Sequence, residues 1–91
     1  MPPEEPPIGD IEATGAQILG PKEVYPYDIV NYSINNAANG TWYLSNKRGI
    51  IINQDSTSAT VEITTGRSGD ISLIYKNDSE EIIYNISILS L

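Results

Sequence analysis

The chain of 91 residues contains no cysteine, no histidine and no phenylalanine. Without cysteine it can form neither a disulfide nor a thiolate metal site. The absence of histidine and cysteine removes the side chains that most often act as base or nucleophile near neutral pH, and no serine lies in a Gly-x-Ser-x-Gly turn. We therefore expect no enzymatic activity, no catalytic residue, no metal site and no cofactor.

Basic residues and long apolar runs are also scarce. Five Lys and Arg stand against twelve Asp and Glu, so the formal net charge is −7. Nucleic acids and anionic membranes bind clustered positive charge, and neither is an expected partner. No apolar run approaches the roughly 20 residues that cross a bilayer, so membrane insertion is not expected. The acidic, proline-rich residues 1–7 are predicted to be an extended linker, followed by one domain over residues 8–91.

What the chain does contain is alternation of apolar and polar residues. Residues 28–34, 41–45, 59–64 and 70–75 alternate, and Gly, Asn, Asp, Ser and Pro separate these runs. Period-two alternation buries one face of a strand, and fifteen Ile, six Tyr and one Trp favour pleated strands over helices. Many short strands punctuated in this way predict an all-β, antiparallel sandwich of about seven strands, without helices.

The strands can be placed approximately along the chain. The first is predicted over 8–19, divided at Thr14-Gly15 where it switches sheets, and residues 20–23 are predicted to form a turn. Later strands are predicted over 27–34, 41–46, 50–53, 59–64, 70–75 and 81–89, with a hairpin turn at Asn77-Asp78-Ser79. Their phase predicts the structural core, whose main members are Tyr32, Trp42, Leu44, Val61, Leu73 and Tyr84. Trp42 is predicted to lie between the two sheets, although an exposed Trp could instead stack on a sugar.

The spacing of these residues resembles that of bacterial Ig-like and polycystin-type (PKD-like) domains. Thr41-Trp42, Gly49-Ile50-Ile51, the alternating run 58–63 and Gly69-Asp-Ile-Ser-Leu73 carry the resemblance, which covers residues 8–91. The Asn-rich acidic signature of PKD repeats and the cysteines of antibody domains are missing. The resemblance implies an Ig-like sandwich and a non-catalytic module of a bacterial cell-surface protein, or of a phage structural protein on the virion surface.

Two chemical sites compete with plainer interpretations. Asp55, Asp70, Asp78, Glu80 and Glu81 could supply oxygen ligands to calcium, but no Asp-x-Asp-x-Asp spacing is present, so a solvated acidic surface is expected. The resemblance also suggests a Lys–Asn isopeptide bond, for which Lys22, Asn85 and Glu62 are conceivable. The alternation places Asn85 and Glu62 on outward faces, so this bond is not expected.

Three apolar residues fall out of phase with the core. If the third, sixth and seventh strands share a sheet, Tyr43, Ile74 and Ile83 lie together on its outer face. Apolar clusters on a water-facing sheet often contact a partner. The first hypothesis is a spacer or weak adhesion domain that contacts a neighbouring domain, a protein or a surface glycan. The alternative is an assembly domain that oligomerises or docks in a larger particle through this face.

Overall fold

The computed structural model describes residues 15–90, which form eight β-strands and no helix. The strands are β1 (Gln17–Leu19), β2 (Glu23–Val24), β3 (Ile29–Asn35), β4 (Thr41–Leu44), β5 (Gly49–Gln54), β6 (Ser58–Ile63), β7 (Gly69–Lys76) and β8 (Glu81–Ile88). The all-β prediction is confirmed. The described residues contain no helix of the length and apolar character needed to cross a membrane. The linker over 1–7 and the part of the first strand before residue 15 lie outside the described residues.

The eight strands form two four-stranded sheets. The first sheet has the order β1-β3-β6-β5 and the second the order β2-β8-β7-β4. Neighbouring strands are antiparallel, except that β2 runs parallel to β8. The third, sixth and seventh predicted strands do share a sheet, as they do in Ig-type sandwiches. The predicted count of about seven strands becomes eight because the first strand is divided between the sheets.

The division of the first strand lies at Gly20–Lys22, not at Thr14-Gly15. The expected turn over residues 20–23 is also too long, because Glu23 already pairs with Ser87 of β8. Tyr32 Oη donates to the Pro21 carbonyl over 2.7 Å, and Tyr84 Oη donates to the Gly20 carbonyl. One tyrosine comes from each sheet, so both sheets hold the point at which the chain crosses between them.

The core lies between the inner faces of the two sheets. Trp42 and Tyr75 meet edge to face, with ring centroids 4.9 Å apart. Trp42 Nε1 donates to the Asp55 carbonyl over 2.9 Å, and Tyr75 Oη contacts the Ala38 and Ser56 carbonyls. Each aromatic therefore brings a hydrogen bond to a loop as well as buried area. The largest fully buried side chains are Val24, Tyr32, Trp42, Val61, Ile63, Ile71, Leu73, Tyr75 and Ile86, while Leu44 and Tyr84 are half-buried against them.

The loops gather at two opposite ends of the sandwich. Loops 36–40, 55–57 and 77–80 form the upper end, and loops 25–28, 45–48 and 64–68 form the lower end. Gln17 pairs with Asn35 beside the upper loops, whereas Ile88 pairs with Gly69 beside the lower ones. The chain thus enters β1 at the upper end and leaves β8 at the lower end.

Candidate functional site

Tyr43, Ile74 and Ile83 lie side by side on the outer face of the second sheet. Tyr43 of β4 pairs with Ile74 of β7, and Ile74 pairs with Ile83 of β8. Directly opposed residues of antiparallel strands have Cβ atoms about 4.5–5.5 Å apart, so the three side chains form one continuous row. Tyr43 is 46% and Ile83 57% exposed, while Ile74, flanked on both sides, is half-buried. We refer to these three residues as the outer row.

Polar residues border the outer row above and below. Lys76 pairs with Glu81 one row nearer the upper end, and Ser72 pairs with Asn85 one row nearer the lower end. Ser72 Oγ donates to Asn85 Oδ1 over 2.8 Å. A shallow cleft of about 370 Å³ is lined by Tyr43, Ile74, Lys76 and Glu81. An apolar centre inside a polar rim is the usual composition of a protein–protein contact.

A larger open cleft of about 610 Å³ lies where the edge strands β4 and β5 meet, and its lining includes Leu44, Lys47 and Ile51. At its upper limit the Gln54 side chain accepts from the Trp42 amide N–H over 3.0 Å and donates to the Trp42 carbonyl over 3.3 Å. The amide of one side chain thus occupies both backbone groups of Trp42 at the sheet edge. Lys47 is the charged residue in the lining, and the others are apolar or carry uncharged polar groups.

The lower end carries two exposed tyrosines that the sequence pattern did not single out. Tyr27 is 64% and Tyr25 46% exposed. Both tyrosines belong to a turn that runs from Tyr25 to Asp28. Asp28 closes this turn, because its N–H donates to the Tyr25 carbonyl and its Oδ2 accepts from the Tyr25 N–H. Tyr27 has φ +65°, which side-chain-bearing residues seldom adopt. The only sequence signal was the turn-forming Pro26-Tyr27-Asp28 segment, which does not reveal exposure.

The acidic residues do not converge on an ion. Within residues 15–90, no three Asp or Glu side chains come close enough together to hold a metal. Asp55 instead organises the loop before β6: its Oδ1 accepts from the N–H and hydroxyl groups of both Thr57 and Ser58, at 2.8–3.1 Å. These hydrogen bonds, that from the Thr57 N–H first, lower the pKa of Asp55. Asp55 has therefore a structural role in the turn.

The residues considered for an isopeptide bond lie apart. Glu62 is on β6 of the first sheet, and Asn85 is on β8 of the second. Both alternate with core residues and so point away from each other, on opposite outer faces of the sandwich. The Lys22 ammonium lies 5.2 Å from the centroid of the Tyr84 ring, in a cation–π contact. The described geometry therefore provides no shared, dry site for the three groups.

Trp42 is not available as a sugar-stacking platform either. Its side chain is 1% exposed and lies between the two sheets, as its phase predicted. Exposed aromatic rings are found instead at Tyr43 in the outer row and at Tyr25 and Tyr27 in the lower loops.

Comparison with known proteins adds no family to these observations. No model of a protein family matches the chain, and no curated protein matches it in sequence.

Proposed function

We propose that the chain is a non-catalytic accessory module of a bacterial surface protein or of a phage structural protein, located outside the cell or on the virion surface. In this role it serves as a spacer or as a weak adhesion domain that contacts a glycan or a neighbouring protein. The observation that carries the proposal is the direction of the described strands, because β1 begins at the upper end of the sandwich and β8 ends at the lower end. Modules with this polarity add length when they are joined in series.

The construction of the sandwich supports the same proposal. A spacer must fold without help from its neighbours, and this chain has a continuous apolar core with the aromatic side chains tied to loops. The resemblance to bacterial Ig-like and PKD-like domains supports a surface location. Fold alone does not determine function, so the proposal needs a direct test.

Small-angle X-ray scattering of a tandem, in which Met1 of a second copy directly follows Leu91 of the first, tests the spacer role. We expect a maximum dimension about twice that of the single copy or more, because β8 of the first copy ends at its lower end and β1 of the second begins at its upper end. A tandem that stays as compact as two sandwiches lying side by side would contradict the spacer function. For the adhesion role, Tyr43→Ala should weaken binding to immobilised surface glycans while leaving the thermal transition unchanged.

The outer row supports a second candidate function, assembly or docking within a larger particle. Three large apolar side chains in one row on an exposed sheet face are uncommon in a protein with no partner. Ile83→Lys should abolish association detected by light scattering at two protein concentrations. Ile50→Lys is the matched control, because Ile50 is 49% exposed on the outer face of the other sheet. Equal effects of the two substitutions would contradict a specific role for the outer row.

A further inference from the structure

We infer that the partner of the outer row is a second copy of this chain, stacked face to face with its strands parallel about a two-fold axis that runs between β7 and β8. This inference rests on the assembly function proposed above and specifies its partner. It follows from three successive cross-strand pairs of β7 and β8 on the outer face. When the two-fold axis exchanges β7 and β8, each residue of a pair meets the other residue of the same pair in the second copy.

The apolar row provides the centre of the contact. A two-fold axis parallel to the strands, midway between β7 and β8, exchanges the positions of these two strands. Ile74 then faces Ile83 of the second copy, and Ile83 faces Ile74 of the second copy. These two residues are direct neighbours within one chain, so a single operation covers both. Tyr43 extends the row on the β4 side and lies beside Ile83 of the second copy.

The charged row makes the copies complementary in charge. Lys76 and Glu81 occupy equivalent positions on β7 and β8, one row above the isoleucines. Exchanging the two strands places each ammonium against the carboxylate of the other copy, so two intermolecular ion pairs form. One row below the isoleucines, Ser72 faces Asn85 of the second copy and Asn85 faces Ser72 of the second copy. Both side chains carry hydrogen-bonding groups that can pair across the contact. Charge complementarity of this kind selects one arrangement and suppresses others.

The size of the face makes this a weak contact. Three strands spaced about 4.8 Å apart and three rows about 6.8 Å apart cover on the order of 300 Å² per copy. Stable interfaces bury about 800 Å² per partner, so we expect a dissociation constant on the order of 0.1–1 mM. Such a contact acts where copies are held together in an array, because tethering raises their effective concentration.

Mixing two charge variants tests the arrangement. In Lys76→Glu alone, the new carboxylate faces the Glu81 carboxylate of the second copy. In Glu81→Lys alone, the new ammonium faces the Lys76 ammonium of the second copy. Because like charges then oppose each other, each variant should self-associate about 10-fold more weakly than wild type. In an equimolar mixture each new charge meets its opposite, and association should return to within about 3-fold of wild type in sedimentation equilibrium. The like-charged pair within each chain persists in the mixture, so recovery reports the intermolecular contact alone. Arg67→Glu and Glu62→Lys are the controls, because they make the same changes of net charge away from the outer row. Alone and mixed, they should associate about as strongly as wild type.

A spin label at Ser87→Cys distinguishes the parallel stack from an antiparallel one, and the chain has no other cysteine to react. Ser87 lies four residues below Ile83 on β8, or about 14 Å. Labels should be about 10–15 Å apart across two parallel stacked sheets, whereas an antiparallel stack centred on the outer row separates them by about 27 Å or more.

The outcomes separate this inference from the function on which it rests. Recovery in the mixture together with short label distances supports it. If Ile83→Lys removes association but the charge mixture does not recover, the face assembles in another arrangement and the inference is overturned. Wild-type protein that remains monomeric at about 2 mM, above the expected dissociation constant, also overturns the second copy as partner. The spacer function is unaffected by that result, because scattering of the tandem tests it separately.

Discussion

Gly20→Ala is expected to be among the most damaging small substitutions in the described residues, because Gly20 lies where the chain passes from one sheet to the other. Gly20 has φ +146°, a backbone conformation that residues with a Cβ rarely adopt. A Cβ built there would overlap Tyr32 Cδ1, well inside van der Waals contact. The Tyr32 ring has little freedom to move away, since its hydroxyl is bonded to the Pro21 carbonyl and its edge meets Tyr84 with ring centroids 5.9 Å apart.

The two effects give a magnitude. Holding a residue with a Cβ in such a backbone region costs about 1–3 kcal/mol. Overpacking a buried site costs about 1–3 kcal/mol more. Together they give a loss of about 2–6 kcal/mol, a large fraction of the roughly 5–14 kcal/mol expected for a domain of this length. At about 4–8 °C per kcal/mol for a domain of this size, the melting temperature falls by about 10–50 °C.

Urea unfolding followed by Trp42 fluorescence measures this loss, since Trp42 is the single tryptophan and lies in the core. Gly66→Ala is the matched control: its Cβ would lie 2.9 Å from Tyr27 Oη, the far end of an exposed side chain that can swing aside. We expect the control to stay within about 1 kcal/mol of wild type. If Gly20→Ala and Gly66→Ala unfold at the same urea concentration, then neither the backbone conformation of Gly20 nor its contact with Tyr32 limits the stability of the crossover.

Two pH-dependent predictions follow from the titrating groups. Hydrogen bonds in the turn lower the pKa of Asp55, so its contribution to stability is present above the ordinary value of 3.8 and is lost as the pH falls below it. Asp55→Asn should therefore show a shallower loss of stability below about pH 4 in acid titrations followed by circular dichroism, and an unchanged slope would refute this role. Burial, with a smaller effect from Tyr84, raises the pKa of Tyr32, so the unfolded chain ionises first and stability falls as the pH rises above the ordinary value of 10.0. Tyr32→Phe should be less stable than wild type at neutral pH but lose less stability between about pH 10 and 12; parallel curves would contradict the assignment.

The alternation of the later strands was sufficient to predict their buried faces. Trp42 and Leu44 point inward and Tyr43 outward on β4, and Ala59, Val61 and Ile63 share the buried face of β6. Period-two patterning works here because each strand has one face on the core and one in water. The outer row was predictable as soon as the pairing of β4, β7 and β8 was assumed, since the phase of each strand was already fixed.

Features that depend on contacts distant in sequence were not predictable. The crossover was expected at Thr14-Gly15, because that dipeptide interrupts a weak alternation. It lies at Gly20 instead, where two tyrosines 12 and 64 positions further along the chain bind the backbone. The two hydrogen bonds between the Gln54 side chain and the Trp42 backbone were likewise not predictable from neighbouring residues. In the sequence, Gln54 is an ordinary polar residue at the end of a strand.

The four sheet edges explain why association through the outer face is favoured physically over association through strand pairing. Exposed edges invite pairing with another chain, and proteins prevent it with short strands, bulges or covering groups. Here the edge strands β1 and β2 have three and two residues, and β5 has a shift of register between Ile51 and Asn53. On β4 the Gln54 amide occupies the Trp42 N–H and carbonyl. Each edge is shortened, distorted or covered, whereas the outer row has no such protection. With backbone pairing blocked, the association proposed here depends on side chains, of which Tyr43 and Ile83 are exposed in the outer row. A single substitution such as Ile83→Lys should therefore remove the association without disturbing the sheets.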